Sequence, residues 1–321
     1  MAYQTNTATD IDDLLDQLRA FAITLGWTID NWSPMFEASR TGQWLSMHHA
    51  DAGYFTLAGW TPNSGDPYIY GIGHTSFSGL NSYFDQPGSS HTQWSVYSIS
   101  NTMPSPLTSY HFFGTTQYLH VVVETTGGVY KHIALGKLNK FGSYTGGEYM
   151  QMVYWDQGTT AINTPTNQIH NLLFDGSHSG SYTGSTIGAG FVRADIDSRT
   201  NNWMKTGTID QGTDARMYGS VRSGWLDRPF SRTPSTFNAV TPLLPIMASG
   251  ERVGDNKYSP LGFAPDLRYV SMRFFNPGDL LTLGGEDWLI FPGIQKTSTW
   301  GASPSSTPSS GDYGYAYKKV P

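Results

Sequence analysis

The chain has 321 residues, a net charge of −6 and no cysteine. Its 36 glycines and 18 prolines exclude a mainly helical protein, and the missing cysteine excludes disulfides, thiolate nucleophiles and cysteine-ligated metals. The acidic balance and the absence of a basic run argue against a nucleic acid or an anionic membrane surface as partner. We also expect neither a secretion signal nor a membrane anchor, because no apolar run approaches the roughly 20 residues that span a bilayer.

The first predicted element is a helix over about 10–25. Apolar residues recur there at three- and four-residue spacing, Thr9 can cap the first turn, and Gly26 follows where a glycine commonly ends a helix. Such an apolar stripe must pack on the protein's own sheet or on a neighbouring subunit. We interpret it as a candidate assembly helix, whose contact residues are Ile11, Leu14, Leu15, Leu18, Phe21 and Leu25.

After Gly26, short stretches rich in aromatic and β-branched residues alternate with Gly, Pro, Asn and Ser. This pattern is typical of an all-β protein. Short turn-like connections predict hairpins, the central one around Gly127 and Gly128. The predicted strands are 44–48 paired with 54–60, 118–125 paired with 129–136, 240–246, 268–274, and a final hairpin over 279–292.

These elements predict a mainly β fold: an antiparallel β-sandwich or barrel-like core with one N-terminal amphipathic helix and long Gly/Ser-rich loops. Loops are predicted over 159–190, irregular structure over 191–240, and a protease-sensitive, flexible segment over the Ser/Pro-rich 301–311. The predicted division is 1–28 for the N-terminal helix, 29–158 for a β domain with the central hairpin, 159–240 for a loop-rich segment, 241–300 for a second β region and 301–321 for a flexible tail.

Histidines are the first residues to test for a metal site. His48, His49 and Asp51 form the densest cluster, but adjacent strand residues point to opposite faces, and a metal needs three or four converging ligands. His120 and His132 lie on the two arms of the central hairpin, where we interpret them as a polar pair on a sheet. We therefore predict no metal and no cofactor.

Glu148 and Asp156 are the acidic pair that would suit a glycoside hydrolase, with aromatic residues nearby to stack on sugar rings. The favoured alternative places both acids at strand ends and the aromatics in the core. The sequence lacks the nucleophile-elbow, zincin and phosphate-loop motifs, so we predict no catalytic residues and no enzymatic activity. Trp155 and Trp203 are candidate glycan contacts.

Two stretches carry a resemblance to a known family. D-I-D-D-L-L-D-Q-L-R-A-F-A-x-x-x-G-W spans 10–27, and Y-H-F-F-G-T-T-Q-Y-L-H-V-V-V-E spans 110–124. The second stretch continues over 127–149 as G-G-V-Y-K-H-I-A-L-G-K-L-N-K-F-G-S-Y-T-G-G-E-Y. Over about 9–60 and 110–157, roughly a third of the chain, the sequence resembles virion structural proteins of tailed bacteriophages and prophages. The resemblance carries over no catalytic residues.

The resemblance implies a non-enzymatic subunit of a tail or baseplate, made in the host cytoplasm and located in the virion. Expected partners are other tail or baseplate proteins and further copies of the chain, with no nucleic acid and no membrane insertion. A head or neck position stays open. A receptor- or glycan-binding tail module is a second alternative, favoured by the 10 tryptophans and the polar, uncharged loops. A polysaccharide-degrading spike that uses Glu148 and Asp156 is the third.

Overall fold

The protein is described by a computed structural model. It describes residues 2–37, 40–63, 67–83, 85–89, 99–102, 105–125, 128–152, 173–174, 190–196, 203–206, 216–219, 243–251, 258–272, 274–293, 295–296 and 313–319. Within these residues there are one helix and nineteen strands. The helix is α1 (Ile11–Thr24). The strands are β1 (Ala2–Ala8), β2 (Thr28–Glu37), β3 (Arg40–His49), β4 (Gly53–Pro62), β5 (Tyr68–His74), β6 (Ile99–Thr102), β7 (Leu107–Gly114), β8 (Tyr118–Glu124), β9 (Tyr130–Lys137), β10 (Asn139–Lys140), β11 (Gly146–Met152), β12 (Gly190–Ala194), β13 (Trp203–Thr206), β14 (Arg216–Gly219), β15 (Leu244–Glu251), β16 (Tyr258–Ser271), β17 (Leu280–Leu283), β18 (Glu286–Pro292) and β19 (Tyr313–Lys319).

The strands form two sheets, which confirms the mainly β, sandwich-like prediction. The larger sheet has 14 strands in the order β1-β7-β8-β9-β11-β12-β13-β14-β15-β16-β19-β18-β17, with β10 beside β16. The smaller sheet has five strands, in the order β2-β3-β4-β5-β6. The described neighbours are antiparallel except for β13 and β14. Each sheet ends in an edge strand within the described chain, so the sheets pack as open layers and do not close into a barrel.

The larger sheet folds back so that β7, β8 and β9 face β18 and β19. Phe113 of β7 stacks on Tyr317 of β19 with ring centroids 5.0 Å apart. The opposite face of the same strands packs on helix α1 and on the smaller sheet, in a core that includes Leu57, Leu119 and Leu135. Because both faces are covered, β8 and β9 are buried almost continuously. A strand that is buried on both faces has no need of alternating polarity.

The N-cap residue of helix α1 is Asp10 and not the predicted Thr9. The Asp10 side chain accepts a hydrogen bond from the Asp13 N–H at 2.9 Å, and the Asp13 carboxylate accepts one from the Thr9 N–H at 2.9 Å. Gly26 adopts a φ of +82°, which confirms the predicted helix end. The apolar stripe is buried against the protein's own sheets, the first of the two alternatives that the sequence left open, so these residues are not exposed as contacts for a neighbouring subunit. Its buried members are Ile11, Leu14, Leu15, Leu18 and Phe21, and Leu25 packs beside them partly buried.

The predicted hairpins are present as β3–β4, β8–β9 and β17–β18. Two other predictions need correction. Strands β12, β13 and β14 interrupt the segment predicted as loops and irregular structure. Strand β19, in the predicted flexible tail, lies between β16 and β18 with Tyr315 and Tyr317 buried. Strand β1 also pairs with β7 ahead of the helix, where no strand was predicted. The segments 159–172 and 301–311 lie outside the described residues.

Candidate functional site

Glu148, the candidate catalytic acid, lies at the centre of a buried ion-pair cluster. Its Oε2 accepts a hydrogen bond from Arg193 Nε at 2.8 Å, and its Oε1 lies 3.3 Å from Lys137 Nζ. Burial alone raises the pKa of Glu148, but the hydrogen bond and charge of Arg193, with the charge of Lys137, outweigh it and hold the pKa below its usual value. Glu148 is therefore ionised at neutral pH and joins β11 to β9 and β12. A general acid needs a raised pKa instead. Its predicted partner, Asp156, lies outside the described residues.

Trp203, one candidate glycan contact, joins the two sheets. Its six-membered ring covers Gly73 of β5 so closely that a Cβ on Gly73 would lie 2.1 Å from the ring. Its Nε1–H donates a hydrogen bond to the Gly88 carbonyl at 2.9 Å. These contacts occupy one edge of the indole and its single hydrogen-bond donor, the Nε1–H. A ligand could therefore contact only the remaining surface of the half-buried ring. Glycan contact by Trp203 stays a prediction, and Trp155 lies outside the described residues.

His120 and His132 are buried between the two halves of the larger sheet, each with its own partner. His120 Nε2 hydrogen-bonds with the Tyr149 hydroxyl at 2.9 Å, and His132 Nδ1 with the Tyr317 hydroxyl at 2.7 Å. Burial lowers the pKa of both imidazoles to about 3, so both are neutral at physiological pH. The described residues contain no group of three or more acidic or histidine side chains placed to hold a metal ion. His132 therefore links β9 to β19 across the two halves of the larger sheet, whereas the hydrogen bond of His120 stays within one half, between β8 and β11.

A row of rings crosses the face of the smaller sheet that points away from helix α1. His48 of β3, Tyr54 of β4 and His74 of β5 are direct cross-strand neighbours. The ring centroids of His48 and Tyr54 are 4.4 Å apart, and those of Tyr54 and His74 are 5.8 Å apart. Asp30, at a bulge in β2, lies 2.8 and 2.9 Å from His48 Nδ1 through its two oxygens. Asp30 therefore orients His48.

The two ends of this row differ in what they offer a ligand. His74 is buried, and its Nε2 hydrogen-bonds with Thr56 Oγ1 at 3.1 Å, which in turn contacts Ser46 Oγ at 2.6 Å. Burial lowers the pKa of His74 to about 4. At the other end, His48 and Tyr54 are half-buried, and neither His48 Nε2 nor the Tyr54 hydroxyl has a hydrogen-bond partner among the described residues. These two groups can accept or donate to a bound molecule.

The loop after β5, described at 75–83 and 85–89, is held by one buried side chain. Gln86 Oε1 accepts a hydrogen bond from the Ser78 N–H at 2.8 Å, and Gln86 Nε2 donates to the carbonyls of Ser78, Asn81 and Ser82 at 3.0 to 3.2 Å. At the tip, Leu80 is 98% exposed. The loop therefore presents a leucine to solvent on a framework of hydrogen bonds.

Sequence reasoning did not find this ring row or this loop. The row had a usable signal, because aligning the predicted hairpin of β3 and β4 places His48 opposite Tyr54. The loop had none, since the contacts of Gln86 follow from the path of the backbone around it. No protein-family model matches the chain, and a search of curated proteins also found no match. No helix in the described part of the chain has the length and hydropathy to cross a membrane.

Proposed function

We propose that the protein is a non-enzymatic structural subunit of a tailed-phage virion, in the tail or baseplate, and that it acts through contacts with neighbouring subunits. The observation that carries the proposal is Leu80. A leucine exposed on a hydrogen-bonded loop gains free energy when another protein buries it, about 1.5–3 kcal/mol for the full side chain. Because the hydrogen bonds of Gln86 already hold the loop conformation, binding a partner costs little further conformational entropy.

Two further features support an assembly role. The resemblance of 10–27 and 110–149 to tailed-phage virion proteins points to an assembled particle. Three described groups suited to acid–base chemistry have structural tasks: Glu148 holds three strands together, His132 links the two halves of the larger sheet, and His120 links β8 to β11. A rigid, multilayered β framework with apolar projections suits a subunit whose task is to hold neighbours in position.

Particles purified from the phage or prophage that encodes the chain test this proposal. Mass spectrometry is expected to find the chain in particles, and cryo-electron microscopy to show Leu80 buried against a neighbour. Leu80→Lys is expected to lower incorporation of the chain into particles at least about tenfold, because it places a charge where the leucine would be buried against a neighbouring subunit. Ser76→Lys, which places the same charge at an exposed polar position of the same loop, is the matched control. Particles that lack the wild-type chain would overturn the proposal.

The ring row favours a second candidate function, binding of a host-surface glycan. Asp30 orients His48, and the His48 Nε2 lies on the same face as the Tyr54 hydroxyl; no described residue hydrogen-bonds either group, which suits a ligand rich in hydroxyl groups. A glycan array is the direct test. Tyr54→Phe keeps the ring stack and removes only the hydroxyl, so it is expected to weaken binding about tenfold, the loss of one hydrogen bond. Trp203→Leu tests the indole in the same assay. An array without any bound glycan would exclude this function.

A further inference from the structure

The hairpin of β17 and β18 ends the larger sheet with an edge that no other described strand covers. Gly284 and Gly285 form a two-residue turn with φ values of +63° and +81°. Leu283 faces Glu286 across this turn, and Leu281 faces Trp288. In such a hairpin the pair beside the turn exchanges its backbone hydrogen bonds, and the next pair does not. The N–H and C=O groups of Leu280 and Thr282 therefore point away from β18, where the described residues supply no strand.

Apart from its length of only four residues, this edge lacks the features that usually protect an edge strand. β17 has the sequence Leu-Leu-Thr-Leu, with no charge and no proline, whereas natural edges commonly carry lysine, proline or a bulge. Leu280 is 51% exposed and Leu283 is 43% exposed. Unpaired backbone groups beside exposed leucines form a surface that another strand can extend.

A second copy of this strand fits the edge better than the other open edge of the same sheet. That other edge is β1, whose exposed residues are Thr5, Asn6 and Thr7. Polar β1 residues would leave the leucines of β17 facing groups that prefer water. Two β17 strands instead place leucine against leucine, and neither brings a charge to the contact.

We propose that β17 pairs antiparallel with β17 of a second copy, forming a symmetric dimer through one continuous sheet. The twofold axis passes beside Thr282, so that the Thr282 residues of the two copies exchange backbone hydrogen bonds. In this register Leu281 of each copy faces Leu283 of the other. Directly opposed hydrogen-bonded residues have Cα atoms about 5.5 Å apart, which a disulfide can bridge.

The absence of cysteine makes the test direct, because a single introduced cysteine is the only thiol in the chain. Thr282→Cys under mild oxidation is expected to give a covalent dimer of twice 35.3 kDa on non-reducing gels. Thr7→Cys, at an exposed position on β1, is the matched control and is expected to remain monomeric. Crosslinking of Thr7→Cys in place of Thr282→Cys would assign the contact to β1 and overturn the proposal.

A charge variant tests the same contact without a covalent crosslink. In sedimentation velocity the wild-type chain is expected to dimerise, and Leu283→Lys to weaken the dimer about tenfold or more, because symmetry introduces the charge twice. Ile23→Lys, at a 50% exposed position on helix α1, is expected to leave the dimer unchanged. A wild-type chain that stays monomeric at high concentration would overturn the proposal.

The β17 contact rests on the proposed structural role, because it would join two copies of the chain within a particle. Experiments can nevertheless reject the β17 contact and the structural role independently of each other. Wild-type chain found in particles but monomeric in solution, with Thr282→Cys not crosslinked in either setting, would remove the β17 contact and leave the structural role standing. A crosslinked dimer in solution, with no chain found in particles, would leave the β17 contact standing and reject the structural role.

Discussion

Trp203 lies over Gly73 so closely that a Cβ on Gly73 would be 2.1 Å from the indole Cη2. The contact joins β13 of the larger sheet to β5 of the smaller one. It also positions the indole Nε1–H to donate to Gly88, in the loop that carries Leu80. One glycine thus permits the close approach of the two sheets at this point.

Gly73→Ala is expected to destabilise the protein by about 1–3 kcal/mol, because the added methyl group overlaps a ring whose position is fixed by a hydrogen bond. Gly142→Ala is the control, since no atom lies within 4 Å of its added Cβ. We expect that control to stay within about 0.5 kcal/mol of the wild type. Urea unfolding measures both free energies. In a Trp203→Leu background the cost of Gly73→Ala is expected to fall below about 1 kcal/mol, and an unchanged cost would show that another contact is responsible.

Glu148→Gln removes a charge that pairs with Arg193 and Lys137. We expect a loss of about 3 kcal/mol in the free energy of unfolding, because the partly buried guanidinium of Arg193 would keep its charge without its carboxylate. Asp51→Asn, at an exposed carboxylate, is the control and is expected to cost less than about 0.5 kcal/mol. Chemical denaturation at pH 7 measures both. Equal stability of Glu148→Gln and the wild type would contradict the ion-pair interpretation.

Leu14→Asp and Leu18→Asp are each expected to abolish folding, because each places a carboxylate in the core shared by helix α1 and both sheets. Ile23→Asp changes an exposed residue of the same helix and is expected to fold normally. Circular dichroism and the soluble yield distinguish the two cases. A folded Leu18→Asp protein would show that the helix can leave the core without loss of the fold.

His120 and His132 make the protein sensitive to acid. Their pKa values are about 3 in the folded protein against 6.5 in the unfolded chain, so the unfolded chain binds more protons between these values. Their contribution to stability is complete above pH 6.5 and is lost as the pH falls towards 3, by about 1.4 kcal/mol per pH unit for each histidine.

A neutral replacement separates this effect from other acid-sensitive groups. His120→Gln is expected to be less stable at pH 7 but to lose stability less steeply between pH 6 and 4, by about 1.4 kcal/mol per pH unit. Urea unfolding across this range measures the slope. Parallel curves for the variant and the wild type would show that His120 does not take up a proton on unfolding.

Sequence patterns within a few residues predicted the elements that are stabilised by interactions within the same few residues. Helix α1 follows from apolar spacing and from an acidic first turn, although the cap is Asp10 and not Thr9, since both side chains lie within reach of that turn. The prediction of irregular structure over 191–240 was wrong at β12 to β14, because β12 and β14 take hydrogen bonds from β11 and β15, whose paired residues lie about 30 positions or more away along the chain. The same reason explains β19.

For the candidate sites, the residue types were visible in the sequence and their partners were not. Glu148 was singled out as an acid, but its pairing with Arg193 depends on a strand 45 residues further along. His48 was weighed as a metal ligand, and its partner Asp30 comes from a bulge in the neighbouring strand. The exposure of Leu80 depends on how Gln86 folds the loop beneath it.

The sequence by itself determined the mainly β class, helix α1 and the hairpins, because periodicity, caps and glycine turns act over a few residues. Only the tertiary structure decided that the helix stripe is covered by the protein's own sheets. The same holds for the neutral, buried histidines and for the edge of β17 that no described strand covers. Each of these depends on which distant strands pack together, and local sequence does not encode that choice.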